Sequence, residues 1–174
     1  ECFKTFRKAP PSQLIMTLLV KNEESMLEEN LLFHKAMGVD SFIITDNNST
    51  DSTPEIIRKY KQKGWIKEVI EEKATDYEQK EWVDRMIWKA KTIYKADWII
   101  NADADELWYS PSGNLKTDLS ATHANVLNCE MRSVYPEENR PFWQWDKVVK
   151  PVSEPERYDL STYSIFERQN KKVI

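Results

Sequence analysis

The run Leu14-Ile-Met-Thr-Leu-Leu-Val20 is apolar at every position but one. A short run of that kind predicts a strand buried on both faces. Over residues 23–37 the period changes. Met26, Leu27, Leu31, Phe33, His34 and Met37 recur at helical spacing, and Gly38 stands where a helix ends in a left-handed residue. Residues 41–45 form a second buried run. The stretch Asp46-Asn-Asn-Ser-Thr-Asp-Ser-Thr53 is made of turn and capping residues. Thr53 followed by Pro54 predicts an N-cap and a first helical position, opening a helix that Gly64 stops. Residues 65–70 predict a third strand. A long helix follows over 77–95, with Trp82, Met86, Ala90 and Ile93 on one face. Residues 97–101 predict a fourth strand. Strand and helix thus alternate, which calls for a parallel sheet with helices on its faces and right-handed crossovers. Beyond residue 105 the alternation stops. Residues 126–134, 142–149 and 163–167 predict strands in an antiparallel or mixed arrangement, punctuated by Pro136, Pro141, Pro151 and Pro155. The fold class is α/β, with a mainly parallel central sheet and a mixed C-terminal part.

Composition narrows the function. The 174 residues carry 25 Lys and Arg against 29 Asp and Glu, a net charge of −4. That balance excludes a nucleic-acid partner, which needs a basic face, but leaves room for a small anionic ligand. Three glycines, Gly38, Gly64 and Gly113, are too scattered for a P-loop or a dinucleotide fingerprint. No apolar run is long enough to cross a bilayer. Cys2 and Cys129, with His34 and His123, show no zinc-site spacing, and both thiols are expected to be free.

The polar clusters fall where chemistry is expected. In an open parallel sheet, ligands bind beyond the carboxyl ends of the strands. Lys21-Asn22-Glu23-Glu24 follows the first strand, Asp46 to Asp51 the second, and Asp103-Ala104-Asp105-Glu106 the fourth. Two carboxylates one residue apart at a strand end are costly unless a positive group joins them. A hard divalent cation does so, sharing its coordination with substrate phosphate oxygens. The alternative is an acidic turn solvated by water. Asp46, directly after an apolar run, is placed to accept a hydrogen bond from a base or a sugar hydroxyl.

These three motifs, Val20-Lys-Asn-Glu-Glu24, Ile44-Thr-Asp-Asn-Asn-Ser-Thr-Asp51 and Trp98-Ile-Ile-Asn-Ala-Asp-Ala-Asp-Glu106, resemble the nucleotide-sugar-binding half of the GT-A glycosyltransferases. The similarity is to family 2 and to relatives with an Asp-x-Asp-Glu motif, and it covers about residues 13–110. It implies a Rossmann-like GT-A fold over 1–174 as a single domain. Residues 13–110 would form the donor half and 111–174 a partial acceptor half, truncated at Ile174. It implies a metal-dependent, inverting sugar transfer from a nucleotide-diphosphate donor, a UDP-sugar, to a glycan or other hydroxyl acceptor. The cofactor is Mn2+ or Mg2+. Asp103 and Asp105 match the metal motif, with Asp105 a direct ligand. Asp46 matches the residue that contacts the nucleoside, Glu23 borders it, and Arg85 matches a basic residue facing the nucleotide. Asn47 stands where many members carry a second Asp, so uracil or ribose recognition differs in detail. By analogy the protein is a cytoplasmic enzyme of polysaccharide biosynthesis, or a Golgi-lumen one if excised from a eukaryotic chain.

Sugar transfer with inversion also needs a base for the acceptor hydroxyl. Glu130, Glu137 and Glu138 follow the metal motif and are the candidates, or the base lies beyond Ile174. Trp143 and Trp145 share a strand face, as core packing or as a platform for a sugar ring. A second function class is a non-catalytic nucleotide- or glycan-binding domain of the same shape. A phosphatase is disfavoured because no Asp follows the first strand, and a nucleotidyltransferase because no Gly-rich loop does.

Overall fold

The computed structural model describes residues 12–73, 79–132, 134, 137–141, 144–145 and 171–173. The chain divides into two compact units, residues 1–122 and 123–174. In the first unit the order is β1 (Leu14–Val20), α1 (Leu27–Ala36), β2 (Ser41–Asp46), α2 (Thr53–Gln62), β3 (Ile66–Glu71), α3 (Gln79–Thr92), β4 (Trp98–Ala102) and α4 (Leu115–Ser120). The four strands make one parallel sheet in the order β3-β2-β1-β4. The alternation of strand and helix is therefore met, and β1, the most continuously apolar run, is central.

Pleating gives β1 two apolar faces. Ile15 on one face joins Ile43, Met86, Ala90 and Ala96 in a buried cluster, so α3 lies over this side of the sheet. Leu14, Met16 and Leu18 on the other face are equally inaccessible. Thr17 is the one polar residue of β1, and its hydroxyl donates to Asn101 Oδ1 at 2.9 Å across the β1–β4 pair. A buried hydroxyl is thereby satisfied rather than left as a cost. α1 and α2 pack on each other, and α2 on β3.

The boundaries differ from expectation in informative ways. Residues 23–26 form a turn, so α1 begins at Leu27 rather than at residue 23. Asp46 belongs to β2, because its backbone pairs with Val20 on one side and Glu71 on the other. Thr53 is the first residue of α2 and not its N-cap. Its hydroxyl oxygen accepts from the Glu23 amide at 2.8 Å, and its own amide donates to Asp51 Oδ1 at 3.0 Å. Ile93 lies past the end of α3 and is 51% exposed. The short helix α4 carries only Leu115 and Leu119 as buried anchors.

Gly38 ends α1 at φ +97°. A Cβ there would meet the Asn114 amide oxygen at 2.7 Å. Asn114 caps α4 by accepting from the Thr117 amide at 3.2 Å. Gly38→Ala is therefore expected to cost about 2 kcal/mol, from the left-handed backbone and the displaced cap together. Chemical denaturation measures it, and a loss below about 0.5 kcal/mol would refute the contact.

In the second unit β5 (Asn128–Glu130) pairs antiparallel with β6 (Lys171–Val173). The strand expected over 126–134 is thus shorter, and the antiparallel sense is as expected. The strand expected over 163–167 lies outside the described residues, as does most of that over 142–149. Cys129 is a free thiol, and Cys2 lies outside the described residues.

Candidate functional site

Register brings three strand ends to one edge. Val20 pairs with Asp46, and Leu18 with Ala102, so the chain leaves β1, β2 and β4 side by side. The first two loops are stitched together. Asn22, at φ 57°, accepts from the Thr50 amide at 2.8 Å through Oδ1 and donates its own amide to Ser49 Oγ at 3.0 Å. The Glu24 amide donates to Asp51 Oδ2 at 3.1 Å, and Glu24 Oε2 accepts from the Ser52 amide at 3.0 Å. The many Asn, Ser, Thr and Asp residues here satisfy backbone groups that leave the sheet.

A cleft of about 380 Å³ opens at this edge. Glu23, Asn47, Asp103 and Asp105 line it, with Lys21 and Met26. Four of the residues singled out in the sequence are therefore gathered in one place. Their charges act on each other: burial raises the Glu23 pKa above the ordinary carboxylate value, and Asp105, Asp51 and Asp103 raise it further. Like charges held in one cleft favour a cation between them. Among the described residues no group of three or more His, Cys, Asp or Glu forms a metal cage. The donor set fits a hard divalent ion that takes one or two carboxylates and completes its shell with phosphate oxygens and water.

The other candidates are not among the residues that line the cleft. Asp46 is nearly buried, and its Oδ1 accepts from the Ser49 amide at 3.1 Å and the Ser49 hydroxyl at 2.6 Å. It does not line the cleft but shapes the loop that holds Asn47. Arg85, on α3, pairs with Glu72 at 2.7 Å and is likewise not part of the lining. Glu130, Glu137 and Glu138 belong to the second unit. Arg132 engages Glu130 at 3.1 Å and lowers its pKa, and Arg140 engages Glu137 at 3.1 Å. Glu138 is an exposed turn residue. Trp145 is half-buried and its indole N–H donates to the Arg140 carbonyl at 2.9 Å, while Trp143 lies outside the described residues.

Sequence reasoning missed the support of the third loop. Asn30 and His34 are fully buried on α1. Asn30 Nδ2 donates to the carbonyls of Ala104 and Glu106, each at 2.9 Å. His34 Nε2 accepts from the Trp108 amide at 2.9 Å. The loop also braces itself, the Asp103 amide donating to Glu106 Oε2 at 3.2 Å and the Glu106 amide to the Asp103 carbonyl at 3.1 Å. A polar pair at i and i+4 on an otherwise apolar helix face was the available signal.

Residues 16–172 match the pattern of glycosyltransferase family 92. No curated protein is significantly similar to the chain in sequence. Among solved structures, TarS of S. aureus is similar with a TM-score of 0.51 and 17% identity, covering 63% of this chain and 19% of that one. The mannosyltransferase PcManGT of Pyrobaculum calidifontis, solved with GDP-Man and Mn2+, has a TM-score of 0.45 and 18% identity over 59% of this chain and 30% of its own. The chain thus spans less than a third of either protein. The likeness to TarS is one of fold. The matching family is 92, where the motifs pointed to family 2 and its relatives.

Proposed function

The chain belongs to glycosyltransferase family 92, and from that premise we propose that it moves a sugar from a nucleotide-diphosphate donor, a UDP-sugar, to a hydroxyl acceptor with inversion. One observation carries the reading: Glu23, Asn47, Asp103 and Asp105 converge on a single cleft at the carboxyl edge of the sheet. Asp103 and Asp105 would hold Mn2+ or Mg2+, with Asp105 as a direct ligand. The ion, when bound, neutralises charge that grows on the leaving diphosphate. The chain's own residues do the rest. Asn47, 4% exposed at the cleft wall, offers an amide that both donates to and accepts from a base or ribose. Lys21 lies on the same wall and adds a mobile cation for the phosphates.

Titration calorimetry with UDP and with GDP, each with and without Mn2+, tests the proposal. Micromolar binding of one diphosphate that weakens on chelation of the metal is expected. Indifference to both nucleotides in both conditions would dismiss it. A second reading, binding without turnover, draws support from Glu130 and Glu137, whose carboxylates are already engaged by arginines. Donor hydrolysis by the full protein, lost in Asp105→Ala, would eliminate it.

A further inference from the structure

We infer that Asn30 and His34 are positioning residues that set the loop bearing Asp103 and Asp105 in the geometry its ligand requires. The inference rests on the proposed function for what that ligand is, a divalent cation shared with a nucleotide diphosphate. It rests on the hydrogen-bond network alone for how the loop is held.

The network has one consistent set of proton positions. A backbone N–H can only donate, so His34 Nε2, at 2.9 Å from the Trp108 amide, carries the lone pair. The ring proton then sits on Nδ1, which lies 2.9 Å from Asn30 Oδ1 and 2.9 Å from the Asn30 carbonyl. Because Oδ1 accepts that proton, the Asn30 amide nitrogen is turned to the loop. It gives its protons to the Ala104 and Glu106 carbonyls at 2.9 Å each, and lies 3.5 Å from that of Asp103. Two side chains one helical turn apart thereby grip the loop at 104, 106 and 108. Both are fully buried, and every one of these contacts spans more than seventy residues of sequence apart from the pair's own.

Such a grip is more than structural filling. Asp103 and Asp105 both repel the Glu23 carboxylate before any cation arrives. A free loop would relax by moving the carboxylates apart, and the ligand would then have to gather them again. A loop fixed from below by buried hydrogen bonds keeps the charges gathered, so the cost is met on folding and not on binding. Partners of this kind around metal sites are worth 10- to 100-fold in affinity.

Two substitutions separate the ends of the network in the full chain. His34→Asn keeps a polar group beside Asn30 but is too short to reach the Trp108 amide. His34→Gln keeps an acceptor at that distance. Hydrogen exchange at residues 103–108 reports the grip directly, and Mn2+-dependent affinity for UDP or GDP reports its use. His34→Asn is expected to speed exchange in this loop and weaken the Mn2+-dependent binding at least about tenfold, with His34→Gln within about threefold of wild type. Asn30→Ala, which alanine's helix propensity favours, is expected to behave as His34→Asn and serves if that variant does not fold. Unchanged exchange at 103–108 in either variant overturns the inference. So does faster exchange with unchanged affinity, in a protein whose binding Asp105→Asn abolishes. Absence of any Mn2+-dependent binding in the wild-type protein overturns the proposed function instead, and the exchange result still decides whether the two residues hold the loop.

Discussion

Replacing Asp105 by Asn is expected to weaken the metal-dependent binding of a nucleotide diphosphate by about 100-fold or more, roughly 2.7 kcal/mol. The amide keeps the shape of the carboxylate and removes its charge. Glu23, Asp103 and Asp105 line one cleft, so on the proposed function a divalent ion there would balance several negative charges, and Asp105→Asn would remove a ligand to it. The fold should not suffer. The like charges oppose one another in the absence of the ion, so the melting temperature should hold or rise slightly. The same variant should also bring the Glu23 pKa down toward its ordinary value, since Asp105 is the foremost charge raising it after burial itself. NMR titration of the Glu23 carboxyl reads this without any ligand. Unchanged nucleotide affinity with a lowered melting temperature would instead make Asp105 a turn residue and move the site elsewhere.

Acid should act on the protein through His34 before it acts through the carboxylates. The ring is buried, and burial lowers its pKa from 6.5 to about 4. In the unfolded chain it takes up a proton near 6.5, while the folded chain resists until about 4. Between these values the unfolded state binds more protons, so stability falls as pH falls. The contribution is complete above about 6.5, declines through the window, and is constant again below about 4. At about 1.4 kcal/mol per unit, its span is on the order of 3 kcal/mol. Protonation would also place a donor on Nε2 opposite the Trp108 amide. Denaturation curves from pH 7 to 4 on wild type and His34→Gln should diverge over this range. Glu23 and the other titrating carboxyls are present in both proteins, so the difference isolates the ring. Parallel curves would mean that the imidazole titrates normally.

Much of the fold was legible because its signals are local. β1 and β2 are short apolar runs between polar clusters, and a buried parallel strand has to look like that. Gly38 and Gly64 mark helix ends because each takes a left-handed backbone, at φ 97° and 76°. The three loops of the site were legible for a different reason: strands running parallel place their following loops at one edge, whatever the side chains do. What stayed hidden depends on partners far along the chain. Thr53 followed by Pro54 looks like a cap, yet its hydroxyl serves the Glu23 amide thirty residues earlier. His34 reads as part of an amphipathic stripe and Asn30 as no part of it, since periodicity cannot show a loop more than seventy residues away. Arg85 was expected at the nucleotide, and its pairing with Glu72, just past β3, is a contact that periodicity does not show. The six-residue α4 offers only two apolar positions, too few to establish a helical period.

Of the four strands of this sheet, the first to be made is one that ends with a neighbour on each side. β2 and β3 can add to one flank of β1 as soon as they leave the ribosome. The other flank waits for β4, whose Trp98 pairs with Leu14. Until then the chain carries an open, apolar strand edge, a template for association with other chains. The loop bearing Asp103 and Asp105 arrives with that last strand. The half-made sheet therefore has only part of the cleft's lining, and the cleft is finished by the same step that covers the open flank of β1.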